Sequence, residues 1–312
     1  MIYIIGTGTM GQAYAQVLKK LKQAVIVVGR GAESAEQFEL ITNIKPIAGG
    51  IELFLEARNF TADESVIIAT GTEALMPTLK LVLKAGAKKV LIEKPAALSI
   101  EELLRHADWL APYAEYVYVA YNRRFYASVL EAKKLIAEDG GLENLHFEFT
   151  EWAHKIEPLE KAAGVKENWF FANSTHVVDL AFFLAGKPLR WKTFAQSGSL
   201  KWHKTTRFVG SGITENGVLF SYNSNWESAG RWSIELFTSK RRIYLKPLEG
   251  IEQQWKGSIA LEKLAIEDGL DQTFKPGLYR QIEAFLHDPK ALKTLAEQIQ
   301  DAELYREIVE PK

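Results

Sequence analysis

Ile2-Tyr3-Ile4-Ile5-Gly6-Thr7-Gly8-Thr9-Met10-Gly11 opens the chain, and its reading decides the fold. A short run of apolar, mostly β-branched residues passes straight into a glycine-rich segment. Residues 10–21 then carry Ala13, Val17, Leu18 and Leu21 at helical spacing, and a second apolar run, residues 24–28, ends at Gly29-Arg30. Strand, glycine-rich turn, helix and strand form the context in which G-x-G-x-x-G reads as a dinucleotide-binding fingerprint rather than an idle turn. Gly6 permits the tight turn, Gly8 lets a pyrophosphate approach the backbone, and Gly11 lets the helix pack on the sheet. The helix N-terminus stabilises the phosphate charge. Gly6, Thr7, Gly8, Thr9, Met10 and Gly11 are therefore candidate cofactor contacts.

The alternation continues outward from this turn. Residues 44–47 read as a weak third strand, 51–57 as a short helix, 65–69 as a strand and 74–85 as a helix ended by Gly86. Residues 89–93 read as a strand stopped by Pro95, 99–110 as a helix with Ser99 as N-cap, and 115–120 as a last strand. Such alternation predicts a parallel, doubly wound Rossmann-type sheet. After residue 120 the pattern changes. A helix over 125–137 closes at Gly140-Gly141, a strand covers 144–152, and a helix covers 174–185. Consecutive strands fill 190–255, with turn signals at Glu215-Asn216-Gly217 and Thr238-Ser239-Lys240. Residues 275–311 read as helical, interrupted at Asp288-Pro289. The expected fold class is α/β: a dinucleotide-binding domain over 1–120, then an α+β domain over 121–312 with a large, mostly antiparallel sheet. The C-terminal helix is a candidate to pack back on the first domain.

Composition narrows the function. The 312 residues carry 38 basic and 39 acidic side chains, a formal net charge of -1. No strong field of either sign is available to hold nucleic acid or an anionic membrane. Cysteine is absent, which excludes disulfides, thiol nucleophiles and cysteine-ligated metal, and suits a reducing cytoplasm. No apolar run approaches the roughly 20 residues that a membrane helix needs, and the N-terminus lacks the basic and apolar regions of a signal peptide.

The position that reads the adenosine ribose lies at the tip of the second strand. It holds Arg30 rather than an acid, with Ser34 nearby. An Asp there repels a 2′-phosphate, whereas an Arg pairs with one. NADP(H) is therefore favoured over NAD(H), with Glu33 keeping NAD(H) open.

Lys88-Lys89-Val90-Leu91-Ile92-Glu93-Lys94-Pro95 resembles the strand end "hVlxEKP" of the glucose–fructose oxidoreductase/inositol dehydrogenase (Gfo/Idh/MocA) family. Tyr121-Asn122-Arg123-Arg124-Phe125 is similar to that family's "yNrRf" segment. Ser174-Thr175-His176-Val177-Val178-Asp179-Leu180, continuing to Leu184-Ala185-Gly186, is similar to its "HxxDlxxxLxG" helix. With the N-terminal fingerprint, these motifs fall in the family's order over essentially the whole chain. Three places depart from it. Ala172 stands where an Asp is frequent, Thr70–Leu75 lacks the family's Pro and His, and Trp169-Phe170-Phe171-Ala172-Asn173 replaces a glycine-rich approach to the helix.

The resemblance implies oxidation or reduction at a carbinol or carbonyl carbon of a sugar, cyclitol or sugar-nucleotide-like substrate. It implies Lys94 and His176 as the catalytic pair, and Thr70, Glu93 and Lys94 join Arg30 as candidate cofactor contacts beside the loop. It places Lys94, Arg123, Trp169, Asn173 and His176 around the substrate, and implies a homodimer or homotetramer joined through the C-terminal sheet. The chemistry is consistent. A lysine beside oxidised nicotinamide is a better proton acceptor, and a histidine titrates near neutrality and passes protons both ways. His176 and Asp179, three apart on a helix, share a face. Arg124 suits a salt bridge between the domains. No second histidine lies at ligand spacing on that helix, so no metal is expected. A cofactor-binding regulator without turnover is the rival from another class. Reduction of a tetrapyrrole or an imine on a similar scaffold is the third.

Overall fold

The computed structural model describes residues 1–311 and divides into two compact units, residues 1–122 with 273–302 and residues 123–272 with the segment from Glu303 onward. In the first unit, β1 (Ile2–Ile5), β2 (Val25–Val28), β3 (Ser65–Ile68), β4 (Val90–Glu93) and β5 (Val117–Ala120) lie parallel in the order β5-β4-β3-β1-β2. Every side chain of β1 and β3 is buried. Continuous apolar runs, rather than alternating ones, are what a parallel strand needs when both its faces are covered by helices. The helices Thr9–Lys20 and Leu75–Lys84 supply part of that cover, burying Tyr14, Val17 and Leu18 from the first and Leu75, Leu79 and Val82 from the second.

Three local expectations change. Residues 44–47 do not form a strand: only Ile47 bridges to Val28. Pro46 has no N–H to give a ladder, and Asn43, at φ 58°, turns the chain out of the preceding helix. The helix over 99–110 is capped by Ser99, whose Oγ accepts from Glu102 N at 3.1 Å, but it divides at His106 into Ile100–Arg105 and Ala107–Leu110. The helical C-terminal stretch is interrupted by a two-residue strand, Lys293–Thr294, that runs antiparallel to β5. Its Lys293 side chain is fully buried and satisfied by Asp301 at 2.6 Å. Helices Leu278–His287 and Leu295–Val309 flank it.

The second unit is built on eight strands: β6 (Asn144–Glu148), β7 (Pro188–Ser197), β8 (Thr205–Thr214), β9 (Leu219–Asn225), β10 (Ser233–Phe237), β11 (Arg241–Leu245), β12 (Glu252–Trp255) and β13 (Glu262–Lys263). Their order is β13-β12-β11-β10-β6-β9-β8-β7, antiparallel except for the β6–β9 pair. The turn signals act as read. Gly217 adopts φ 79° between β8 and β9, and Thr238 N bonds Arg241 O at 2.9 Å between β10 and β11. Helix Thr175–Ala185 packs against β6, where Phe182 meets Phe147 and Phe220 edge-on at 5.6 and 5.2 Å. Phe194, Val209 and Leu219 stay exposed on β7–β9. Residues Phe194 and Val209 are directly paired, and Val209 and Leu219 share a face through Ile213.

Candidate active site

In the first unit the fingerprint segment folds as a tight glycine turn whose backbone geometry suits a phosphate. Gly6 has φ 121°, and a Cβ there would lie 2.4 Å from Ala69 O; a Cβ on Gly11 would lie 2.2 Å from Gly6 O. Both positions therefore admit only glycine. Gly8 is different, since a Cβ there would meet no atom within 4 Å. The space in front of Gly8 lies open, at the N-cap of helix Thr9–Lys20, whose first turn carries no acid to compete with a phosphate. Thr9 is exposed, and Met10 Sδ receives Lys275 Nζ at 2.9 Å.

A cavity of about 340 Å³ opens from this loop, lined among others by Gly6, Thr7, Gly8, Arg30, Ser34 and Thr70. The Thr7 and Ser34 hydroxyls lie 2.9 Å apart. Thr70 Oγ1 is buried there with no hydrogen-bond partner. Arg30 is 72% exposed and pairs with Glu52 at 2.5 Å. The open backbone at Gly8, the orphaned Thr70 hydroxyl and the Arg30 cation suit a dinucleotide.

Further along the same C-terminal edge, β4 delivers Glu93 and Lys94. Because β1, β3 and β4 are neighbours, Gly6, Thr70 and Glu93 succeed one another along that edge, where doubly wound sheets bind their ligands. Tyr14 Oη donates to Glu93 Oε1 at 2.6 Å. Burial pushes the Glu93 carboxyl up, opposed by the Tyr14 hydrogen bond and by the charges of Lys94 and Lys275. Lys94 is half-buried and joined to Pro95 by a cis peptide. Gln298 Nε2 holds this corner, donating to Pro95 O at 3.0 Å and to Tyr121 Oη at 3.2 Å. Asn122 gives its amide to Pro276 O at 2.9 Å, a structural tie.

The second unit gathers the other candidates. Residues Phe170–Ser174 form a π-turn that passes directly into helix Thr175–Ala185, so His176 is buried in the first turn of that helix, at 4% exposure. Asp179 accepts two hydrogen bonds from Arg124, at 2.8 and 2.7 Å. That ion pair lies inside the second unit. The ring of Trp232 lies 6.1 Å from His176, and the Arg123 guanidinium stacks 4.6 Å from the same ring. Arg231 stands over both Trp152 and Trp232, at 4.6 and 5.0 Å. Burial pushes the Arg123 guanidinium down, while the charges of Glu249 and Glu151 pull it up. Asn173 is engaged by Glu151, and Trp169 is buried edge-on to Trp202 at 6.3 Å.

Sequence reading missed Glu151, Trp232 and Arg231. Glu151 follows the end of β6 and reads as one more acid in a polar stretch; only its burial marks it out.

A parallel sheet with an open cavity at its C-terminal edge, entered past Gly8, defines the class of the first unit: a doubly wound, dinucleotide-binding fold. Residues 1–121 match the Gfo/Idh/MocA family model, described as oxidoreductase family, NAD-binding Rossmann fold. Over these residues the match bears out the resemblance read from the N-terminal and Glu93-Lys94-Pro95 motifs, and they form an NAD-binding Rossmann domain. No curated protein sequence matches the chain. Among solved structures, levoglucosan dehydrogenase in complex with NADH is 19% identical, over 98% of this chain and 95% of its own, with a TM-score of 0.75. UDP-N-acetylglucosamine 3-dehydrogenase from Acidithiobacillus ferrooxidans is 18% identical over 99% and 97%, with a TM-score of 0.73. An oxidoreductase from Thermotoga maritima is 18% identical over 99% and 95%, with a TM-score of 0.75. At such identities the likeness establishes the fold. Among the described residues no helix is long and apolar enough to cross a membrane.

Proposed function

We propose that the protein is a cytoplasmic NAD(P)-dependent dehydrogenase or reductase acting at a carbinol or carbonyl carbon of a sugar, cyclitol or sugar-nucleotide-like substrate, with NADP(H) favoured over NAD(H). The observation that carries the reading is the edge of the first sheet, where the Gly8 opening, the orphaned Thr70 hydroxyl, Glu93 and Lys94 follow one another. A bound nicotinamide supplies the hydride donor or acceptor. The loop from Gly6 to Gly11 holds the diphosphate, and Arg30 with Ser34 meets a 2′-phosphate. Glu93 faces the nicotinamide ribose, and Lys94 orients the substrate oxygen. His176 takes or returns the hydroxyl proton. Arg123, Asn173 and Trp169 contribute polar and indole surface for the ring of a sugar, whose C–H face suits an aromatic one.

Levoglucosan dehydrogenase and UDP-N-acetylglucosamine 3-dehydrogenase, which share the fold, act on sugar-like compounds by name, and this supports the substrate class. The exposed face carrying Phe194, Val209 and Leu219 supports a homodimer or homotetramer through the second sheet, to be read by light scattering.

The test is a screen of sugars and sugar nucleotides with NADPH and NADH, followed by Lys94→Ala. An enzyme loses turnover in that variant while still binding the dinucleotide. A cofactor-sensing regulator shows no turnover in either form.

A further inference from the structure

A buried carboxylate that this chemistry leaves unused lies in the second unit. Glu151 is 2% exposed. Its two oxygens accept from Asn173 Nδ2 at 3.0 and 3.1 Å, and Oε1 also accepts from Ser174 Oγ at 2.7 Å. Asn173 and Ser174 are the last two residues of the π-turn Phe170–Ser174, and His176 follows two residues later. A π-turn widens the backbone ring and is sparsely populated without tertiary support. Here that support comes from two side chains of the turn closing on one carboxylate.

The surroundings of Glu151 are charged as well as hydrogen-bonded. Arg231 and Arg123 both feel its charge. Arg123 also feels Glu249 and Tyr126, and its guanidinium stacks on Trp232, the ring that neighbours His176.

We propose that Glu151 is the positioning residue for His176: from the end of β6 it grips Asn173 and Ser174, and with them the turn that sets the imidazole in place. The inference rests on the reading of His176 as the proton carrier. Burial raises the Glu151 carboxyl against the pull of Ser174, Asn173, Trp169 and Arg231. The grip therefore loosens at a pH above the ordinary carboxylate range as protonation removes the anionic acceptor.

The experiment is an NMR titration of the histidine side chains in the full-length protein. Six histidines are present, and His176→Gln assigns the relevant signal. In Glu151→Gln, which keeps the shape and removes the charge, the His176 midpoint should fall by roughly half a pH unit or more. NADPH affinity, read by tryptophan fluorescence, should stay within about twofold of the wild type, because the phosphate loop belongs to the other unit. An unchanged His176 midpoint in the folded variant overturns the inference. Should the variant fail to fold, the wild-type trace decides: His176 must show a second inflection where Glu151 titrates, and a single inflection overturns the inference equally. With a turned-over sugar in hand, Glu151→Gln should lower kcat at least about tenfold with little change in KM. If the midpoint moves while no sugar reacts, the dehydrogenase reading fails and the Glu151–His176 coupling stands.

Discussion

Arg30 offers the most direct handle on cofactor choice. It stands at the tip of β2, 72% exposed, and lines the cavity that opens from the phosphate loop. Its guanidinium pairs with Glu52 at 2.5 Å. A hydrogen bond to a charged partner contributes about 1.5–3 kcal/mol, and solvent exposure at Arg30 puts the expected value at the lower end. Arg30→Ala should therefore weaken NADPH binding by about tenfold, since 1.4 kcal/mol is one decade. NADH, lacking the 2′-phosphate, should change by less than about twofold.

Glu52→Gln tests the same geometry in the opposite sense. An exposed ion pair contributes about 0.2–1 kcal/mol. Releasing Arg30 from it should tighten NADPH binding up to about fivefold. The assay is a titration of both dinucleotides followed through the eight tryptophans, at two ionic strengths. The Arg30 contribution should shrink at the higher salt, because an exposed pair is screened. Equal loss of NADH and NADPH affinity in Arg30→Ala, or no loss of either, would refute the assignment of Arg30 to a 2′-phosphate.

Gly8→Ala should leave stability within about 0.5 kcal/mol, because a methyl group there meets no protein atom within 4 Å. Its dinucleotide affinity should drop at least about tenfold as the methyl fills the phosphate approach. Gly11→Ala, whose methyl would lie 2.2 Å from Gly6 O, should lose both stability and binding; thermal melts and fluorescence titrations separate the two variants. Arg124→Ala removes two hydrogen bonds from the Asp179 carboxylate, whose side chain is 2% exposed, and should cost about 1.5–3 kcal/mol in urea denaturation. His203 is buried, and burial pushes its imidazole down to about 4. The unfolded chain then binds the extra proton between about pH 4 and 6.5, so stability rises with pH across that window, by ~3 kcal/mol in full. His203→Gln should flatten the dependence in denaturation curves recorded at pH 4.5 and 7.

The sequence by itself determined whatever depends on neighbours along the chain. The apolar run at Ile2–Ile5, the glycines at 6, 8 and 11 and the helical spacing after them specify a strand, a tight glycine turn and a helix, because each step is a local backbone requirement. The Ser99 cap and the Gly217 turn were legible for the same reason. The tip of β2 was legible as Arg30, but its Glu52 partner, 22 residues on, was not.

Tertiary structure decided what depends on residues far apart. Ile47 is reduced to a single bridge, while Lys293–Thr294 becomes a strand, because β5 offers an edge that the flanking sequence does not announce. Asp179 is shared with Arg124 across 55 residues. Glu151 shows nothing in its own segment that distinguishes it from a solvated acid; only the return of the chain at Asn173 and Ser174 buries it and gives it partners. Burial and pairing are properties of the packed chain, and a one-dimensional pattern carries them only where the partners lie within a turn or two of each other.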